Sequence, residues 1–182
     1  VLYRGKDLAQ MTRDEKSTLT REFQPIYQDP YAAYNPFYRV DHVLQMPIKR
    51  FGLARTKEDA QRLIEDAMDK VGLRPAETLG RFTHHLSGGQ KQRLRVARAL
   101  VCQPKLVMAD EPVSMVDASL RATILSSLKK LNQDFGISIL YITHDLTTAY
   151  QIIENILIMY SGSVVEAGSV EQVIRNPKHP YT

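Results

Sequence analysis

Two adjacent carboxylates, Asp110 and Glu111, follow directly on the apolar run 106–109, LVMA. Such a run, with Pro112 next, predicts a buried β-strand that ends at the acidic pair. Open α/β sheets bind ligands outside the carboxyl ends of their strands. One carboxylate there can hold a hydrated magnesium ion, and the other can polarise a water molecule for attack on a phosphate. Acidic turns after strands are common, so the pair alone is a weak signal.

His144 has the same position relative to a second apolar run, 137–142, ISILYI. Two parallel strands of one sheet would bring the carboxylate pair and this imidazole to one edge. An imidazole there can contact a terminal phosphate and orient the attacking water. The alternative is a histidine that only caps the following helix, for which Asp145 is the better residue.

The stretch 86–94, LSGGQKQRL, is the third candidate. Ser87 opens a predicted helix, and Gln90 lies three residues later, at the spacing of a capping box. The cap does not explain Gly88 and Gly89, because glycines at the first helical positions cost helix stability. Open backbone N–H groups at a helix N-terminus bind anions, and glycines let a phosphate approach closely. The sequence therefore predicts a phosphate contact here.

Local patterns predict the elements that position these residues. A strand–helix–strand order predicts an α/β fold with a mostly parallel sheet and helices on its faces. The predicted elements are a hairpin-like segment over 1–8, a charged surface helix over 14–22, an apolar stretch over 23–27, a helix between Thr56 and Gly72, a helix from Ser87 to before Pro104, buried strands over 106–109 and 137–142, helices over 120–135 and 145–153, and two strands, 156–160 and 164–166, about a Ser161-Gly162 turn.

Composition narrows the function classes. The 182 residues, 43% hydrophobic and 24% charged, suit one globular domain or a core with an inserted subdomain. The net charge of +4 is mild and scattered, so it does not argue for nucleic acid. The single cysteine, Cys102, rules out an internal disulfide and fits a reducing compartment. No apolar run approaches the ~20 residues of a membrane span, so we expect a peripheral role at any membrane.

In this order, the motifs resemble those of the ATP-binding cassette (ABC) ATPases, the motor subunits of ABC transporters. LSGGQKQRL resembles the family's signature sequence and is the most specific motif; 106–112, LVMADEP, resembles the Walker B strand, and 114–117, SMVD, the D-loop. The resemblance covers essentially the whole chain. It implies a P-loop NTPase-like (RecA-like) α/β fold with an inserted α-helical subdomain.

The resemblance also implies a role for each candidate residue and names ATP and Mg²⁺ as cofactors. Asp110 would hold the metal, Glu111 would act as general base, and His144 would be the switch histidine. Gln28 would be the Q-loop glutamine, which contacts the metal or water and couples to the membrane subunits. The implied nucleotide contacts, reaching ATP held by a second cassette, are Ser87, Gly88, Gly89, Gln90 and Asp117.

A phosphate-binding loop of the form G-x-x-x-x-G-K-[ST] appears nowhere in the sequence. The nearest match, Gly5-Lys6, is followed by Asp7 where a magnesium-binding hydroxyl is needed. We therefore expect an N-terminally incomplete cassette that lacks the Walker A segment and is inactive by itself. In this fold the missing strand lies inside the sheet, so we also expect an unpaired strand edge and exposed apolar surface.

The expected division of the chain has four parts. They are a remnant of the N-terminal core portion with the Q-loop over 1–29, a helical subdomain ending in the signature helix over 30–103, the RecA-like core over 104–167, and a C-terminal helix with the start of a subfamily tail over 168–182.

Two segments indicate the subfamily. Residues 28–36, QDPYAAYNP, resemble the Q-loop region of dipeptide and oligopeptide importers, and 176–182, NPKHPYT, resemble their C-terminal segment. Nickel importers and a phosphonate-breakdown accessory protein share similar endings. The leading interpretation is a peripheral subunit on the cytoplasmic face of the cell membrane that couples ATP hydrolysis to solute import, with peptides favoured as cargo.

The partners implied are a second ATPase subunit, identical or paralogous, transmembrane permease subunits and, indirectly, a solute-binding protein, with no nucleic acid. Two alternatives stay open. One is a non-transport ABC protein of DNA repair, translation or phosphonate breakdown. The other is a non-catalytic fragment that docks on a membrane partner through its Tyr-rich loop.

Overall fold

The computed structural model describes residues 1–27, 35–114 and 118–182 of the chain. The strands are β1 Leu2–Tyr3, β2 Lys6–Asp7, β3 Phe23–Ile26, β4 Leu106–Asp110, β5 Ser138–Ile142, β6 Asn155–Tyr160 and β7 Ser163–Ser169. The helices are α1 Arg13–Glu22, α2 Val40–Phe51, α3 Lys57–Lys70, α4 Pro75–Thr78, α5 Gly88–Val101, α6 Ala118–Phe135, α7 Leu146–Ile152 and α8 Val170–Arg175.

A three-stranded parallel sheet, in the order β3-β4-β5, forms the centre of the fold. In its register, Ile26 pairs with Ala109, and Asp110 pairs with Ile142. Because the strands are parallel, the segments that follow β4 and β5 leave the sheet at the same edge. The predicted α/β class with a parallel sheet is therefore confirmed, and β6 and β7 form a separate antiparallel hairpin.

Helix α5 packs at the middle of the main hydrophobic core. Its apolar side chains contact α2, α3 and the sheet, and the core continues under α6. Representative side chains, each 0–2% exposed, are Ile26, Leu44, Met68, Leu94, Val107 and Leu128. This packing fixes the position of α5 relative to β3 and its sheet, since close-packed interiors leave little room for displacement.

Helix α2 was not predicted from the sequence. Pro47 lies in its middle, where a missing N–H and a ring clash normally end a helix. Arg39 occupies the N-cap position and makes no side-chain capping hydrogen bond. The sequence therefore lacks the capping residue that would indicate where the helix starts. The helix forms because its apolar face, including Val43 and Leu44, is buried against the core.

The strand predicted over 137–142 is present as β5, but the prediction that it is buried is wrong. Side chains of β5 alternate: Ile139 and Tyr141 pack against the core, whereas Leu140 and Ile142 are 46% and 42% exposed. Within the part of the chain that the structure describes, β4 is the sole hydrogen-bonded neighbour of β5. The hydrogen-bonding edge of β5 that faces away from β4 is therefore unpaired in these residues, and one apolar face of β5 is exposed. The apolar face of β6 around Leu157, which is 63% exposed, is open as well.

The C-terminal residues fold back on the β6–β7 hairpin. Glu166 of β7 accepts hydrogen bonds from the backbone N–H groups of Lys178 at 2.8 Å and His179 at 3.2 Å. The rings of Tyr160 and Tyr181 lie 4.7 Å apart, centre to centre. The nearby Thr182 and these two N–H donors lower the pKa of Glu166. A small second core next to the hairpin is formed by Ile156 of β6, Val170 and Val173 of α8 and Ala149 of α7.

The surface helix predicted over 14–22 is present, but its last residue is buried. Glu22 is 7% exposed in its side chain and accepts bonds from the Tyr3 hydroxyl, from Arg4 at 2.8 Å and from Lys105 at 2.9 Å. The Tyr3 hydrogen bond, aided by Lys105 and Arg4, lowers the pKa of Glu22. This carboxylate joins the β1–β2 hairpin to the start of β4.

No helix within these described ranges combines the length and the apolar character that crossing a bilayer requires.

We predict that Glu22→Gln lowers the free energy of unfolding by about 1–3 kcal/mol at neutral pH, because it removes charge-assisted hydrogen bonds from a buried group. A depressed folded pKa means that the stabilisation is complete above the unfolded value of about 4.3 and is lost as the pH falls through the folded value. Urea unfolding of both proteins at neutral and acidic pH should show the difference shrinking in acid.

The matched control is Glu171→Gln, which breaks the exposed pair with Arg175 and should change the unfolding free energy by less than about 0.5 kcal/mol. Equal losses in the two variants, or a Glu22 effect that grows in acid, would contradict the account.

Candidate functional site

The turn that follows β4 begins at Glu111. Its φ of +46° lies in the left-handed region, which costs a non-glycine residue on the order of 1–3 kcal/mol. Its backbone N–H donates to the carbonyl of Ile142 at 2.9 Å. Asp110, the last residue of β4, is half-buried. The sheet therefore holds two consecutive carboxylates at its edge, the second in a strained backbone.

The structure brings Glu111 and His144 into direct contact. Oε1 of Glu111 accepts the backbone N–H of His144 at 2.9 Å and lies 2.5 Å from Nδ1 of the imidazole. The carboxylate is 16% exposed and the imidazole is 82% exposed. The predicted meeting of the two strand ends is thus present, with the acid below the surface and the imidazole facing solvent.

Asp145, and not His144, caps α7. Oδ1 of Asp145 accepts the N–H groups of Thr147 at 2.9 Å and Thr148 at 3.4 Å. The alternative in which His144 serves as the helix cap is wrong, because the carboxylate already fills that role. The imidazole is left in contact with Glu111.

Tyr141 of β5 is packed against the core and lies near enough to Glu111 and Asp145 to be affected by their charges. Burial raises the pKa of its hydroxyl, and the nearby charges of Glu111 and Asp145 act in the same direction. The phenol therefore stays protonated and neutral at the pH at which the carboxylates are ionised.

The predicted capping box at the start of α5 is present. Oγ of Ser87 accepts the N–H of Gln90 at 3.2 Å, and Oε1 of Gln90 accepts the N–H of Ser87 at 3.0 Å. Gly88 and Gly89 are the first helical residues, half-buried and buried respectively. Their N–H groups have no acceptor within the helix, because the i−4 carbonyls lie before its start.

Across the described ranges, no hydrogen bond or ion pair links these four residues to Asp110, Glu111 or His144. The candidate residues thus form two groups: the carboxylate–histidine group at the sheet edge and the glycine group at the N-terminus of α5. Gln28 and Asp117, the other two candidates, lie outside the described residues.

Sequence reasoning missed one buried residue beside the site. Gln92 of α5 is 1% exposed, and its side-chain amide donates to the carbonyl of Pro112, which follows Glu111, at 2.7 Å. A polar side chain on the apolar face of a helix was the signal that could have identified it, because buried amides need partners.

One carboxylate of the site, Asp110, is a ligand of the kind that magnesium takes. In the ranges that the structure covers, no cluster of three or more His, Cys, Asp or Glu side chains could hold a metal ion. Magnesium commonly keeps several waters and takes one or two carboxylates together with substrate phosphates. Asp110, at the strand end, offers such a hard oxygen ligand, and Oε1 of Glu111 already contacts His144.

Comparison with known proteins identifies the family of the chain. The family model described as ABC transporter matches residues 1–114. The oligopeptide transport ATP-binding protein OppF of Salmonella typhimurium is 38% identical over 182 residues, all of this chain and 54% of OppF. OppF of Streptococcus pyogenes is 39% identical, with 59% of its length covered, and the dipeptide transport ATP-binding protein DppF of Haemophilus influenzae is 37% identical, with 54% covered. The chain thus spans slightly more than half the length of these curated relatives.

Solved structures show the same fold. CbiO1 from Clostridium perfringens, part of an ABC transporter complex, superposes with a TM-score of 0.82 at 24% identity, over 96% of this chain and 67% of CbiO1. A dimeric ATP-binding cassette in a post-hydrolysis state with ADP and Pi superposes with a TM-score of 0.75 at 23% identity, over 92% of this chain and 72% of that one. The fold is therefore that of an ABC ATPase cassette. With a family model that matches 114 of its residues, the chain belongs to the ABC transporter family.

Proposed function

We propose that this chain is part of an ATP-hydrolysing subunit that powers the import of peptides across a membrane. The contact between Glu111 and His144 at the carboxyl ends of β4 and β5 carries the proposal, because it sets a carboxylate and an imidazole, side chains suited to activating water, where α/β sheets bind ligands. The names of the OppF and DppF relatives, and the QDPYAAYNP and NPKHPYT segments, support peptides as the cargo.

Glu111 is the proposed general base. Its carboxylate accepts a proton from a water molecule that attacks the terminal phosphate of ATP in line, and the phosphate–oxygen bond to ADP breaks. The two bonds from His144 to Oε1 fix the orientation of the carboxylate. Positioning of this kind, together with electrostatic stabilisation, is the main source of catalysis in phosphoryl transfer.

His144 is the proposed phosphate contact on the same side. Nδ1–H donates to Glu111, so the imidazole can donate from Nε2 to a phosphate oxygen only in its charged form. The ring is 82% exposed, so it can reach a ligand at the surface. Asp110, with Gln28, would hold Mg²⁺, which supplies charge neutralisation at the phosphates.

The glycine group at the start of α5 is proposed to contact a nucleotide held mainly by a second cassette. Its N–H groups and helix dipole suit a phosphate. Among the residues that the structure describes, it makes no hydrogen bond or ion pair with the carboxylate–histidine group of its own chain. Asp117 is proposed to act at the same junction. The second cassette is either identical or paralogous.

The helical part, proposed as residues 30–103, is the candidate contact for a permease. Phe37 and Tyr38, which follow the Tyr-rich segment 31–36, are 83% and 45% exposed, and the ring centres of Tyr38 and His42 lie 4.2 Å apart. Exposed aromatic side chains are typical of interface anchors. We also propose that the protein lies peripherally on the cytoplasmic face of its membrane, a location supported by its transport ATP-binding relatives. The proposed division of the chain is a Q-loop portion over 1–29, the helical part over 30–103, the core over 104–167 and the tail over 168–182.

We predict that Glu111→Gln lowers kcat for ATP by at least about 100-fold and leaves nucleotide affinity within about threefold, because it removes the base and keeps the acceptor for His144. The measurement is steady-state ATPase activity with fluorescent-nucleotide binding. It uses the complete gene product, with any residues encoded before Val1 and after Thr182.

Glu58→Gln, an exposed change in the first turn of α3, is the matched control and should retain full activity. If Glu111→Gln kept its activity, Glu111 would not be the base. If the unmodified protein failed to hydrolyse ATP, the choice would pass to the non-catalytic docking alternative.

We predict that Ser87→Asp separates stability from function. Aspartate caps helices as well as serine, so the free energy of unfolding should change by less than about 0.5 kcal/mol, whereas Ser87→Ala should cost about 1 kcal/mol. The new negative charge faces the proposed phosphate site, so ATPase activity should fall at least about tenfold.

Thr56→Asp is the matched control, because Thr56 caps α3 in the same way, through a 3.0 Å bond from Asp59 N–H. It should alter neither stability nor activity. A fully active Ser87→Asp protein would remove the phosphate contact from the proposal.

We predict that the polypeptide of residues 1–182, by itself, binds ATP with a dissociation constant above the micromolar range and does not hydrolyse it. It contains no G-x-x-x-x-G-K-[ST] loop, whose lysine and backbone N–H groups would hold the β- and γ-phosphates. Titration with a fluorescent ATP analogue measures this directly, and micromolar affinity would contradict it.

A further inference from the structure

Gln92 is a buried amide in the middle of apolar packing. It lies on α5, five residues after the cap Ser87, and is 1% exposed. Burying an amide without hydrogen-bond partners costs on the order of 1–3 kcal/mol. A leucine would fill the position without that cost, so the partners of the amide are the reason for a glutamine here.

Both ends of the amide are engaged. Nε2 donates to the carbonyl of Pro112 at 2.7 Å, and Oε1 accepts from Nη1 of Arg95 at 3.1 Å. Arg95 is also buried, at 6% exposure. A carbonyl can only accept and a guanidinium can only donate, so the two partners fix which end of the amide is which. Gln92 therefore donates in one direction, from α5 to the turn after β4.

That turn contains the strained Glu111. Left-handed backbone at a non-glycine residue persists only where its surroundings hold it. The sheet holds the turn through the hydrogen bond from the Glu111 N–H to the Ile142 carbonyl. Ser114 holds it from within, because its N–H donates to the Glu111 carbonyl at 3.2 Å and its hydroxyl donates to the same carbonyl at 3.0 Å. The Gln92 bond to Pro112 holds it from α5, a different layer of the fold.

We propose that Gln92 is a positioning residue that couples the N-terminus of α5 to Glu111, so that contact of a phosphate with the glycine group sets the orientation of the general base. This rests on the proposed function, because it assumes that Glu111 acts in ATP hydrolysis. The coupling makes the base competent only when a nucleotide occupies the face formed by α5.

Geometry makes the coupling efficient. At 1.5 Å per residue, Gln92 lies about 7.5 Å along the helix from Ser87, well within a rigid helix. A hydrogen bond of 2.7 Å is lost when it lengthens by about 0.5–1 Å. If α5 is displaced by that amount, the turn after β4 either moves together with the helix or loses its hydrogen bond to Gln92.

The first test is steady-state ATPase activity of the complete gene product. Gln92→Leu, which keeps the shape and removes both bonds, should lower kcat about tenfold and leave KM for ATP within about twofold, because binding groups are untouched and the base is misplaced. Val96→Ala, a buried change one turn further along α5, is the control for stability and should keep kcat within about twofold.

The second variant separates the two bonds. Gln92→Glu keeps an acceptor for Arg95 and loses the donor to Pro112, so it should lower kcat as much as Gln92→Leu does. A Gln92→Glu protein with the kcat of the unmodified protein would overturn the proposal, since the Arg95 bond alone would then suffice. A kcat loss shared by Val96→Ala would reduce Gln92 to a structural role and overturn it as well.

A third measurement decides the coupling without turnover. Hydrogen exchange of the Ser114 amide, which bonds to the Glu111 carbonyl, should be about tenfold faster in Gln92→Leu and unchanged in Val96→Ala, because the turn loses its outer hold. Unchanged Ser114 exchange in Gln92→Leu overturns the proposal whether or not ATP is hydrolysed. Faster exchange together with an unmodified protein that does not hydrolyse ATP contradicts the proposed function and supports the coupling alone.

Discussion

The parallel pairing of β4 with β5 is the constraint on which the site depends. Its register sets Asp110 opposite Ile142. The backbone N–H of the next residue, Glu111, donates the last hydrogen bond of the ladder to the Ile142 carbonyl. A slip of one residue would turn the side chains of a strand to the opposite face. Glu111 would then lose His144, and the acid and the imidazole would no longer share one edge.

Helix α5 connects that edge to the rest of the molecule. Its first residues form the capping box and the glycine group, its apolar face fills the core against α2, α3 and β3, and Gln92 reaches the turn after Glu111. One rigid helix thus carries a candidate phosphate contact at its end and a hydrogen bond to the proposed base along its side. The same residues of α5 therefore serve both the packing of the core and the proposed site.

Features set by local interactions were predictable from the sequence. The capping box at Ser87, the cap at Thr56 and the strand that ends at Asp110 all follow from neighbours within a few residues. Features set by distant layers were not. The exposed face of β5 at Leu140 and the burial of Glu22 depend on what packs above them, which periodicity does not report. Helix α2 escaped prediction because tertiary burial overrides its internal proline.

The most direct measurement is a structure of the complete gene product with Mg²⁺ and a non-hydrolysable ATP analogue. The account predicts the terminal phosphate beyond the carboxyl ends of β4 and β5, within hydrogen-bond reach of His144. Glu111 should face the water in line with that phosphate, and Ser87 of a second cassette should lie on the other side of it. A nucleotide bound away from these strand ends, or contacted by Ser87 of the same molecule, would contradict it.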